Sequence, residues 1–200
     1  MHPESAGAFP VGGAGLATTT MAAVHGAGLL GMARPLATTS HPVPTGPLYS
    51  ILLVAHVLCA LVGFGAMVLT AFQATRARQG PGAPGAPAVR RYFRPGPNVA
   101  GRFLYGVPLF GFGLLAASRG AFDTGDGFVV VGLGIWAVAV LVAESVVWPG
   151  ERRIQALVTG RWGDPAVAAD LERHCRRVLG AAAVLVVLFV AATVVMIGKP

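Results

Sequence analysis

VLGAAAVLVVLFVAATVVMI, residues 178–197, is the stretch that decides the fold. It runs for a full membrane thickness without a charge, because about 20 residues of helix rising 1.5 Å each cover the roughly 30 Å hydrocarbon core of a bilayer. LERHCRR, residues 171–177, stands directly ahead of it, so charged sequence gives way to apolar sequence in one step. Two more stretches read the same way: ILLVAHVLCALVGFGAMVLTAF at 51–72 and VVVGLGIWAVAVLVAESVVW at 129–148. A fourth, at 99–118, is shorter and rich in glycine and phenylalanine. None alternates polar with apolar residues as a barrel strand does, and a lone strand cannot satisfy its backbone in lipid. The expected fold is therefore all-α: a membrane-embedded four-helix bundle over residues 47–200. Its spans fall at about 49–74, 99–118, 128–148 and 178–197. Residues 1–46, mostly Ala, Gly, Pro, Thr and Ser, are expected to be a flexible tail.

Composition excludes other classes. Of the 200 residues, 54% are hydrophobic and 12% charged, against about 25% charged in soluble domains. The mean hydropathy is +0.68. An ordinary soluble enzyme, an acidic disordered chain and a disulfide-stapled domain all fail this test. The two cysteines, Cys59 within a span and Cys175 in a loop, are expected to remain unbonded to each other.

The net charge of +7 matters less than its placement. Arg76, Arg78, Arg90, Arg91, Arg94 and Arg102 lie between the first two spans or open the second; Arg152, Arg153, Arg161, Arg173, Arg176 and Arg177 lie between the last two. The positive-inside rule puts both loops in the cytoplasm and both termini outside, in a bacterial inner membrane. The arginines sit at span ends with little aromatic interleaving, so they read as topology signals that attract anionic lipid rather than nucleic acid. The expected partners are the lipid bilayer and other membrane subunits or a second copy of the chain.

Local signals refine the loops. Asp164 and Pro165 make a helix start, with an acceptor at the N-cap and proline at N1. Glu172 and Arg176 are four apart and can pair on one face. ERRIQALV, residues 151–158, is expected to extend the third span beneath the membrane, and QGPGAPGAP, residues 79–87, to form a flexible insert.

Few residues can carry chemistry. His56 is the one imidazole in a span, about 10 Å below the outer surface at 1.5 Å per residue. Cys59, Ala60, Gly63 and Met67 share its helix face, and an intramembrane ionisable group points to the bundle interior. His56 reads either as a structural hydrogen-bonding residue, as a haem or copper ligand, or as a proton relay. A second axial ligand would come from Met67, Met196, a subunit partner or water. Glu144 in the third span and Arg102 at the start of the second lie at one depth, so an ion pair fixing those spans is expected. Gly106, Gly111, Gly113, Gly132 and Gly134 read as helix-contact residues, and Tyr49 and Trp148 as interfacial anchors. There is no CxxC, HExxH, phosphate-cradling glycine loop or Ser/His/Asp set, so no catalytic residue is assigned.

His56 with Gly63 seven residues on, Pro149 followed by Arg152 and Arg153, and a fourth span leading into MIGKP form a pattern. It resembles a bacterial family of predicted four-helix integral membrane proteins of unknown function. That family is distantly similar to the copper-resistance D proteins and to the haem-associated protoporphyrinogen oxidase of the HemJ type. The resemblance covers about residues 48–200 and implies, at most, haem b or copper bound through His56. The reading is a structural or accessory membrane component. The alternatives are a haem- or copper-associated redox or metal-handling protein using His56, and a small transporter.

Overall fold

The computed structural model describes residues 46–198, which lie within one compact unit. The tail expected over residues 1–46 falls outside these residues, apart from Gly46. Seven α-helices follow in order: α1 (Pro47–Ala77), α2 (Ala86–Tyr92), α3 (Val99–Arg102), α4 (Gly106–Ala117), α5 (Gly127–Val142), α6 (Trp148–Gly160) and α7 (Pro165–Ile197). A 3-10 turn, Phe103–Tyr105, joins α3 to α4, and a π-helical turn, Ala143–Val147, joins α5 to α6. No strand occurs among the described residues. Four continuous helical runs are long and apolar enough to cross a membrane: Pro47–Ala77, Val99–Ala117, Gly127–Gly160 and Pro165–Ile197. The chain is an all-α bundle and a multi-pass membrane protein.

Local chemistry accounts for the starts and irregularities. Pro47 and Pro165 open their helices where a missing N–H costs nothing. The Ala166 N–H donates to Asp164 Oδ1 at 2.8 Å, and Gly101 N–H donates to Asn98 Oδ1 at 3.2 Å. Asp164 is held below the usual carboxylate range by that Ala166 N–H and then by Arg161.

Two prolines disturb the spans themselves. Pro108 has no N–H for the Leu104 carbonyl four residues back, and the preceding turn tightens to 3-10. The Trp136 indole N–H, from α5, takes up that carbonyl at 2.9 Å. Pro149 likewise has no N–H for the Ser145 carbonyl. There the ladder slips by one residue, Trp148 N–H reaches back to the Ala143 carbonyl, and the turn becomes π-helical.

The first span is central. It packs on the second and fourth, the third packs on the fourth, and α4 stays apart from α5, so that the second and third spans meet mainly through side chains around residues 102–105. Glycines set these crossings. A Cβ at Gly63 would stand 2.8 Å from the Leu104 backbone nitrogen, one at Gly106 2.6 Å from Cys59 Sγ, and one at Gly132 2.6 Å from Met196 Cε. Gly134, expected at a contact, has open space around it instead. Large apolar side chains such as Leu109, Leu141, Val187 and Val194 point outward over all four runs, as a lipid-facing surface requires.

There are two cores. One, within the spans, gathers Phe64, Met67, Leu104, Val147, Trp148 and Leu185. The other lies toward the arginine-rich end, where Ala74, Phe93, Ile154, Leu171 and Cys175 pack together. This second core exists because α6 and the first turns of α7 run on past the apolar stretches as amphipathic helices. It also takes in α2, which the composition of residues 79–87 concealed: residues 79–85 form turns, and Ala86 and Pro87 then start a helix that buries Val89. Trp162 N–H donates to the Ala77 carbonyl at 3.0 Å, tying the end of α1 to the loop before α7. Cys59 and Cys175 are not bonded to each other.

Candidate functional site

His56 sits where α1 meets α4. Its Nδ1 is 2.8 Å from the Val107 carbonyl oxygen. A carbonyl can only accept, so Nδ1 carries a proton toward it in either charge state of the ring. The ring packs on α4 at Gly111, where an added Cβ would stand 3.4 Å from His56 Cε1, an ordinary van der Waals contact.

Beside this ring is a cavity of about 490 Å³, at the end of the bundle away from the arginines. It opens because the second and third spans do not close on one another. Its walls are almost wholly apolar, with Phe64, Trp136 and Phe189 prominent, and His56, Tyr49 and Thr193 as the polar exceptions. The size suits a small-molecule site. Met196 lines the same cavity. Met67 does not: it is fully buried in the span core, against Gly101. Cys59 also points elsewhere, into the α1–α4 crossing at Gly106.

These placements bear on which groups the side chains could hold. Copper held by histidine and cysteine needs several such donors together, and the described residues contain no group of three or more His, Cys, Asp or Glu able to hold a metal ion. Haem fits better. An axial histidine characteristically donates its other ring N–H to a backbone carbonyl or carboxylate, as His56 does, and a methionine lines the same apolar space. Bound haem would be held by His56, with Met196 nearby in the same cavity, and would supply one-electron chemistry.

Glu144 and Arg102 meet at the seam between the second and third spans. Arg102 Nη1 is 3.5 Å from Glu144 Oε1, and the Tyr105 hydroxyl donates to the same carboxylate oxygen. The two charged side chains are 40% and 48% exposed, so the pair lies on the outside of the bundle rather than in its interior. Arg102 also stacks over Trp148, 3.8 Å from the ring centroid. That ring is only 2% exposed. Trp148 is thus a core residue and not the interfacial anchor its position suggested.

A polar cluster that sequence reading missed lies one layer closer to the arginine-rich end. Glu151, 4% exposed, accepts from Asn98 Nδ2 at 3.1 Å. Asn98 also reaches the Tyr92 hydroxyl at 3.3 Å and Thr70 Oγ1 at 3.4 Å. Thr70 and Tyr92 share a 2.6 Å hydrogen bond, and Thr70 donates to the Ala66 carbonyl. Burial pushes the Tyr92 phenol up, and the hydrogen bond shared with Thr70 opposes it. One asparagine therefore joins α1, α2, α3 and α6. The available signal was Glu151 directly after Pro149 and Gly150, where a helix continues from a buried span.

Comparison of the chain with protein-family models, curated proteins and solved structures finds no match. Its chemistry rests on its own residues.

Proposed function

We propose that this chain is a structural or accessory component of a bacterial inner membrane, with the arginine-rich end in the cytoplasm and both termini outside. One observation carries the reading: several polar side chains of the spans bond to other helices of the same bundle, while among the described residues buried Gln73 Oε1 and Trp148 Nε1 have no hydrogen-bond partner. His56 holds the Val107 carbonyl, Trp136 the Leu104 carbonyl, and Glu144 is engaged by Arg102 and Tyr105. Such groups act as fasteners between helices. The orientation is supported by the distribution of arginine, which puts twelve of fifteen basic residues at one end.

A second reading is supported by the cavity. His56 and Met196 line one apolar space, and the protonation of His56 suits a haem ligand of the kind the resemblance to HemJ-type proteins implies. Purification in mild detergent separates the two readings. A colourless preparation that brings down other membrane proteins supports the accessory role. A Soret band that disappears in His56→Ala would establish haem binding and displace it. Orientation is tested by reporter fusions after Gly85, Asp123 and Pro165; cytoplasmic signals from the first and third only are expected, and the reverse would overturn the assignment.

A further inference from the structure

The third and fourth spans enclose a second opening, of about 590 Å³, at the arginine-rich end. Two backbone features border it. The third span carries a π-helical turn before Pro149, and Gly150 lets α7 come close, since a Cβ there would be 2.6 Å from Val178 Cγ2. The rim carries His174, Arg176 and Arg177, and no carboxylate lines the groove. Val142, Val146 and Val184 form the apolar wall.

Charge around the rim is unbalanced. Glu172 accepts from Arg176 at 2.6 Å and is also bonded by Arg78, so one carboxylate serves two guanidinium groups. Asp170 is shared among Arg153, Arg173 and His174. Arg177 pairs with no carboxylate among the described residues. Along α7, Val184 lies seven residues after Arg177, about 10 Å at the helical rise. The groove therefore passes from cationic to mainly apolar, with Ser145 the polar exception, over the depth that separates a lipid phosphate from its acyl chains.

We propose that this groove binds one anionic phospholipid, with its phosphate on Arg177, flanked by Arg176 and His174, and one acyl chain along Val142, Val146 and Val184. Basic pockets between membrane helices recognise phospholipid headgroups in this manner, and arginine suits phosphate through its paired donors. The inference does not depend on which side of the membrane the groove faces, nor on the role of His56.

Native mass spectrometry of the detergent-purified full chain tests it, using phosphatidylglycerol, phosphatidylcholine and inorganic phosphate as separate probes. One phosphatidylglycerol per chain is expected, retained in preference to phosphatidylcholine. Arg177→Gln should weaken retention about fivefold, the worth of one basic residue near an anionic lipid, and Arg177→Lys should restore most of it. Val184→Trp fills the acyl slot with the charges intact and should also release the lipid. Arg152→Gln, outside the groove, should change nothing. Equal retention of both lipids, or an equal effect of Arg177→Gln and Arg152→Gln, would overturn the proposal. So would full competition by inorganic phosphate together with an unaffected Val184→Trp, which would mark an anion site without a lipid.

Discussion

Gly63→Ala and Gly65→Ala make the same chemical change two residues apart on one helix, and the structure predicts opposite results. Each replaces glycine in a helix interior, which on propensity alone favours the variant by about 1 kcal/mol. Gly65 has no neighbouring atom within 4 Å, so Gly65→Ala should keep that gain. At Gly63 the new Cβ would stand 2.8 Å from Leu104 N and 3.1 Å from Leu104 Cα. These are backbone atoms, and the Leu104 carbonyl is itself held by Trp136, so this turn cannot swing aside like a side chain. Relief requires opening the seam by about 0.6 Å, a gap that forfeits a quarter to a half of each contact's attraction. Overpacking of this kind costs about 1–3 kcal/mol. That is also the expected stability difference between the two variants, because the propensity gain is common to both. At about 2–4 °C per kcal/mol for a chain of this size, Gly63→Ala should melt about 2–12 °C below Gly65→Ala. Thermal unfolding in mild detergent, followed by tryptophan fluorescence, reads this directly. Coincident melting curves would refute the close approach of α1 to the 3-10 turn.

Other outcomes follow from the same geometry. Trp136→Phe should cost about 1–3 kcal/mol by stranding the Leu104 carbonyl; in a Pro108→Ala background, where residue 108 regains an N–H, the same change should cost less, which a double-mutant melting cycle measures. Asn98→Ala removes the amide that ties Glu151 to Tyr92 and Thr70 and should destabilise the chain by about 1.5–3 kcal/mol; adding Glu151→Gln should recover part of the loss by removing the buried charge. Asp164→Ala should lower the melting temperature at neutral pH. Because the folded Asp164 titrates below its unfolded value, its contribution is fully present above about pH 4 and is lost as the pH falls through the lower, folded value. The difference between Asp164→Ala and the unsubstituted chain should therefore close in acid, and a gap that persisted there would refute the cap.

Much of the fold could be read from residue order. The four spans follow from uninterrupted apolar length, and the start of α7 from Asp164 and Pro165, because both depend only on neighbours in sequence. Helix α2 could not be read, since its one strong signal, Val89, is a single apolar residue whose burial depends on packing against α1. The candidate sites divide in the same way. His56, Arg102 and Glu144 stood out as rare polar residues in or beside apolar runs. Asn98 and Thr70 did not: an asparagine after Pro97 and a threonine late in a span are ordinary until folding brings them together with Tyr92 and Glu151.

By itself, the sequence determined that the chain crosses a membrane in four helices, because burial in lipid is decided segment by segment, by length and apolar content. Only the tertiary structure decided which polar groups meet and which small residues matter. Gly63 and Gly65 are equivalent as letters, yet one touches the Leu104 backbone and the other faces open space. Glu144 stands near the end of the third apolar run and Glu151 just after it, yet the first lies on the outside of the bundle and the second inside. The physical reason is that hydrogen bonds and close contacts act over a few ångströms, a distance set by how helices cross and not by their spacing along the chain.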